Sequence, residues 1–212
     1  MGQYFHAYIE NDKDYHVFSC PGTLKLMEHS WLKNDMVGAV MAQLLDNPSK
    51  VAWIGDYANE PTDSFGLSRK KFAEVYDRAW GKDDSHTTTM HLWEYKPTKK
   101  ETQLVEDLSH AFIVNKSKKC FISLDAYAKA CAEVILEKNP DADPVWIVHP
   151  LPIYTACGNG RGSGDFSTHN VSAYAVGSWA FDTIYVTYDE SQIPVTYTDE
   201  SLDTLFIEEA LI

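Results

Sequence analysis

Residues 3–20 read QYFHAYIENDKDYHVFSC, two runs rich in β-forming residues (3–10 and 14–20) around Asn11-Asp12-Lys13. Tyr, Phe, Ile and Val suit a pleated surface and Asn-Asp suits a tight turn, so the pattern predicts an N-terminal β-hairpin. Pro21-Gly22 ends it. Asn34 then stands as a cap before Met36, Val37, Val40, Met41, Leu44 and Leu45, which recur at helical spacing until Asn47-Pro48. VAWIGDY (51–57) is an apolar run with the length of a buried strand. A second helix is expected from Ser68 to Gly81, with Phe72, Val75, Tyr76 and Ala79 on one stripe. The resulting β-β-α-β-α order lacks the regular alternation of a doubly wound parallel fold. It predicts an α+β fold: a single domain, mainly antiparallel sheet with about three helices packed on it.

The remainder extends that reading. His91–Tyr95 is a short strand candidate, and 96–108 is charged and aperiodic. FIVN (112–115) and KCFISL (119–124) flank Lys116-Ser117-Lys118 and predict a second hairpin. Ser123 then caps a third helix to about Lys138, with Asp125 placed to meet the dipole of its first turn. VWIVHPLPIYTAC (145–157) reads as a bent or edge strand broken by Pro150 and Pro152. SAYAVGSWAFDTIYVTY (172–188) supplies one long strand or two, and the tail has weak helical periodicity.

Bulk properties narrow the function classes. The 212 residues suffice for one self-sufficient core, and 44% apolar with 13% aromatic content argues against disorder. No internal repeat or linker divides residues 1–212. The four cysteines, at 20, 120, 131 and 157, form no CxxC pair, which argues for reduced thiols acting as small apolar groups rather than a metal knuckle. The start MGQYFH has neither a basic nor an apolar signal region, and no run approaches 18 apolar residues, so a cytoplasmic protein with no membrane association is expected. The net charge is −13. Arg161 is the last Lys or Arg, and 162–212, an acidic C-terminal third, holds nine carboxylates. That field argues against nucleic acid and would attract a host protein with a basic surface.

The strongest local feature is Gly158-Asn159-Gly160-Arg161-Gly162-Ser163-Gly164-Asp165. Glycines at alternate positions leave bare backbone for a ligand to approach, while Asn159, Arg161 and Ser163 share the other side. Arg161 could clamp a small anionic ligand through a phosphate or carboxylate, with Trp179 or Tyr57 stacking. The spacing matches neither a Walker loop, GxGxxG nor GxSxG. Two further segments place carboxylates after apolar runs: WIGDY, with Asp56 and Tyr57, and GSWAFD, with Trp179 and Asp182. The candidate binding set is therefore Asp56, Tyr57, Asn159, Arg161, Ser163, Asp165, Trp179 and Asp182. An alternative gathers Asp56, Asp165 and Asp182 around magnesium as a phosphoester hydrolase. Glu28-His29 sets an acid beside an imidazole, but the eight histidines show no ligand spacing. Without a nucleophile–base pair or cofactor loop, binding is expected over catalysis, with a structural or interaction module as a further alternative.

MGQYF, LKLMEHS (24–30), WIGDYA, CGNGRGSGDF and VGSWAFD occur in order along most of the chain. Together they resemble a family of small phage and mobile-element proteins of gut bacteria with the pattern MGQYY, GLKLMEHS, WIGDYA, GNGRGGGDY and VGSWAGD. Here Phe5 stands for the second Tyr, Thr23 precedes LKLMEHS, and Ser163, Phe166 and Phe181 replace Gly, Tyr and Gly. The resemblance brings no established activity. It implies a mobile-element origin and, by association, a counter-defence inhibitor acting on a host immune system.

Overall fold

The computed structural model describes residues 3–19, 25–32, 34–59, 65–81, 110–141, 147–158 and 175–202. Their strands form one eight-stranded sheet: β1 Phe5–Glu10, β2 Tyr15–Phe18, β3 Ser49–Gly55, β4 Phe112–Asn115, β5 Cys120–Ser123, β6 Ala156–Cys157, β7 Thr183–Thr187 and β8 Thr198–Asp199. The order is β2-β1-β3-β7-β4-β5-β8, with β6 also on β3. Most pairs are antiparallel; β3–β6 and β5–β8 are parallel. The predicted α+β architecture is present.

Local chemistry accounts for the elements. The Asn11 side-chain oxygen accepts from the Lys13 and Asp14 amides at 2.9 and 3.0 Å, closing the first hairpin turn as an Asx turn. α1 (Leu26–His29) carries a capping box in which Glu28 accepts from the Lys25 amide. The three long helices start where capping residues stand: Asn34 for α2 (Asp35–Leu44), Ser68 for α3 (Arg69–Trp80) and Ser123 for α4 (Leu124–Lys138). Each cap oxygen satisfies an otherwise orphaned first-turn amide, worth about 1 kcal/mol.

Two sequence expectations are corrected. Residues 145–157 are not one bent strand. Pro150 to Tyr154 form a short helix, α5, capped by His149, and only Ala156–Cys157 pairs as strand among the described residues. First-turn residues have no intrahelical acceptor for their N–H, so prolines at 150 and 152 cost nothing there. Nor is 172–188 a long strand: 175–181 is a run of turns, and only Thr183–Thr187 (β7) is extended. Gly177 and Phe181 both have positive φ, at 70° and 65°. Gly takes this conformation freely, whereas Phe pays for it. The expectations for 82–109, including His91–Tyr95, for 159–174, and for the tail beyond 202 lie outside the described residues.

The strand alternation sorts the core onto two faces. Phe5, Ala7 and Ile9 of β1 with Val51 and Trp53 of β3 join α2, α4 and α5 in the larger cluster. Tyr8, Ala52 and Ile54 point the other way, to Phe72, Val75 and Ala79 of α3. Because β3 is covered on both sides from Val51 onward, its sequence there is continuously apolar rather than alternating. Fully buried side chains such as Ile9 and Met41 each contribute about 1.5–3 kcal/mol relative to exposure. Cys120, Cys131 and Cys157 are buried free thiols, and burial raises the Cys131 thiol to about 11.

A candidate ligand site at the end of β3 and β6

One edge of β3 is shared by two partners. Its first residues pair with β7, Ser49 with Ile184 and Lys50 with Thr183. Its last residues pair with β6 in parallel, Trp53 with Ala156 and Ile54 with Cys157. The turn 175–182 fills the interval: the Phe181 amide donates to the Val51 carbonyl at 2.7 Å, and the Val51 amide to that of Asp182 at 3.3 Å. It is anchored in turn by the Gly177 amide on Ile153 and the Trp179 amide on Tyr154.

The parallel register has a direct consequence for the segments singled out in the sequence. β3 runs into Gly55-Asp56-Tyr57 and β6 into Gly158, so both emerge at the same end of a two-strand unit. Gly55 is closely approached by its neighbours. A Cβ there would collide with the Gln3 side-chain oxygen and stand 3.2 Å from the Phe5 ring. Asp56 continues the pairing with β1: its amide donates to the Tyr4 carbonyl at 2.9 Å, and its carboxylate accepts from the Tyr4 amide at 3.2 Å. The Tyr76 hydroxyl donates to the Asp56 carbonyl at 2.7 Å, and Trp80 donates to the Ile54 carbonyl at 3.0 Å. α3 thereby fixes the backbone around Asp56. The rings of Tyr4 and Tyr57 remain exposed, at 37% and 44%.

His6 sits beside this end, stacked on Trp80 at 3.8 Å. Its Nδ1 lies 2.7 Å from the Ala79 carbonyl, which can only accept, so Nδ1 carries the proton. Burial lowers its pKa, against the opposing effects of that hydrogen bond and of the Asp56 charge. The favoured form is a neutral imidazole with its lone pair on Nε2. Sequence inspection did not connect Tyr4, His6, Tyr76 or Trp80 with Asp56. They come from the first strand and from α3, and no spacing in the chain signals that meeting.

The other candidates separate. Trp179 is a core residue, 2% exposed and stacked on Tyr154 at 4.6 Å. Asp182 accepts from the side-chain amide of fully buried Asn115 at 2.8 Å, tying β7 to the β4–β5 turn. It stands beside Val51, five residues from Asp56 along β3, or roughly 16 Å at the strand rise. One cation needs its carboxylate oxygens at about 2.3–2.6 Å. Of the magnesium alternative of Asp56, Asp165 and Asp182, the strand thus holds Asp56 and Asp182 apart. Asn159, Arg161, Ser163 and Asp165 lie outside the described residues. Among the described residues no helix is long and apolar enough to cross a membrane, and no three His, Cys, Asp or Glu side chains gather as a metal site. Comparison with protein-family models, with curated proteins and with solved structures returns no match.

Proposed function

We propose that this chain is a non-enzymatic binding protein that holds a small anionic ligand at the end of the β3–β6 pair. The observation that carries the reading is the parallel register of Trp53–Ile54 with Ala156–Cys157. It delivers the WIGDY segment and the start of the glycine-rich segment to one place. In open α/β sheets ligands lie where chains leave the carboxyl ends of parallel strands, and the β3–β6 pair is a two-strand unit of that kind. In this reading Arg161 meets the anion, Gly158 to Gly164 admit it close to the backbone, Asp56 accepts from a hydroxyl or amine, and Tyr57 stacks. Native mass spectrometry of the purified protein tests it: a retained small molecule, lost in Arg161→Ala with Tm changed by no more than a few degrees, is the expected result. An equal loss of binding and of stability would make Arg161 structural and end the reading.

A specific observation favours a second form. Residues 189–202 carry Asp189, Glu190, Asp199 and Glu200 with no Lys or Arg, and expose Val195 (102%) and Leu202 (63%). An acidic surface with exposed apolar side chains suits docking on a basic host protein, as a counter-defence inhibitor of phage or mobile-element origin would. Host-protein capture that weakens steeply with salt is the expected behaviour; salt-insensitive capture would exclude it.

A further inference from the structure

The opposite end of β3 carries a row of residues across three strands, β1, β3 and β7, and the β4–β5 turn. Glu10 of β1 pairs with Lys50 of β3, Lys50 pairs with Thr183 of β7, and the Lys116 amide donates to the Thr183 carbonyl at 2.9 Å. Directly opposite residues in neighbouring strands stand about 5 Å apart and share a face. Lys50 and Lys116 therefore flank Thr183 on that face. Alternation along the strands puts this row on the face bearing two separate apolar patches, one under α3 and one around Val114, Tyr185 and Ile193. A cleft of about 370 Å³ opens on the row, rimmed by Asn11 and Asp12 of the first hairpin turn. That is the lower end of the size range for small-molecule sites.

The charges around the cleft are unequally committed. Glu10 is engaged by Lys71 at 3.0 Å and Arg78 at 3.1 Å. Burial acts to raise its pKa, but those hydrogen bonds and charges outweigh it and hold the carboxyl below its usual range. Among the described residues Lys50 and Lys116 have no ion-pair partner, and the Thr183 hydroxyl makes no hydrogen bond. In a chain of net charge −13, two unpaired ammonium groups astride a free hydroxyl are set to receive an anion. We propose that this cleft binds the phosphate group of a small phosphomonoester, with Lys50 and Lys116 as charge-assisted donors and Thr183 as the hydroxyl donor between them. Among the described residues at the rim, Asp12 is an opposing charge without an ion-pair partner, so it limits affinity and selects against ligands with a second anionic group.

Titration of the full chain with glycerol 3-phosphate at low salt, followed by backbone amide NMR, tests this. Shifts centred on Lys50, Lys116 and Thr183 are expected. Affinity should fall by at least about tenfold in Lys50→Gln and again in Lys116→Gln, the loss of one charged hydrogen bond each. Asp12→Asn should raise it. Because neither lysine has an ion-pair partner among the described residues, the urea midpoint should be unchanged in both variants. Inorganic phosphate binding as tightly as glycerol 3-phosphate would assign the cleft to the free ion and overturn the ester reading. No shifts, or shifts unaffected by the double substitution, would overturn the site altogether. The residues named for this cleft are separate from those named for the β3–β6 end, so failure here leaves the β3–β6 reading standing, and the reverse also holds.

Discussion

His149 makes the stability of this fold pH-dependent in a way that can be isolated. It is fully buried at the cap of α5, where its Nδ1 accepts from the Leu151 amide at 3.1 Å and its Nε2 lies 3.1 Å from the Met41 sulfur. Burial pushes its pKa from 6.5 down to about 3. The unfolded chain therefore binds the proton more readily than the folded one. The contribution is intact above pH 6.5 and is lost as pH falls towards 3, at about 1.4 kcal/mol per unit. From pH 7 to pH 5 that loss is about 2 kcal/mol, or roughly 13–40% of an ordinary domain stability. Urea unfolding at the two pH values, in the wild type and in His149→Asn, measures it. Asn retains a side-chain oxygen for the Leu151 amide, and every other titrating group, His6 included, is common to both proteins. The wild type should lose about 2 kcal/mol more than the variant over this interval. Equal losses would refute the assignment of a neutral, unprotonatable His149 to the core.

Other substitutions probe the two ends of β3. Gly55→Ala should lower Tm by several degrees, because a methyl group meets the Phe5 ring and the Gln3 side chain, an overpacking cost of about 1–3 kcal/mol; unchanged Tm in a thermal melt would mean that Gln3 gives way. Phe181→Gly relieves a left-handed backbone worth about 1–2 kcal/mol. It also removes a ring packed at 6.0 and 6.1 Å from Phe65 and Phe72, and large-to-small changes of that kind cost about 3–5 kcal/mol. A net loss of about 2 kcal/mol in urea unfolding is expected, and a gain would show that the backbone term dominates.

How far the fold was legible follows from the range of the forces involved. The first hairpin, the caps at Asn34, Ser68 and Ser123, and the buried strand read at 51–57, observed as Ser49–Gly55, were readable because each depends on residues within a few positions. The segment 145–157 misled because Pro150 and Pro152 weigh against a strand and equally suit a helix's first turn. Only the surroundings decide between them. At 172–188 β-forming composition suggested extension, whereas Trp179 and Phe181 are apolar because the turn carrying them is packed inside.

The candidate site divides in the same way. Asp56 and Tyr57 were picked out by a local pattern, glycine and acid after an apolar strand. Their nearness to Gly158 depends on the β6 register, fixed by hydrogen bonds between residues about a hundred positions apart. The same ladder separates Asp56 from Asp182, which the sequence could place together as readily as apart. The Lys50–Thr183–Lys116 row likewise exists only once β3, β7 and the β4–β5 turn are laid side by side. The sequence by itself determined the element types, most of their ends and the acidic balance of the chain, because propensity, capping and charge act locally or simply add. Tertiary structure alone decided which side chains meet, because strand order and register are chosen by burying apolar faces over the whole molecule.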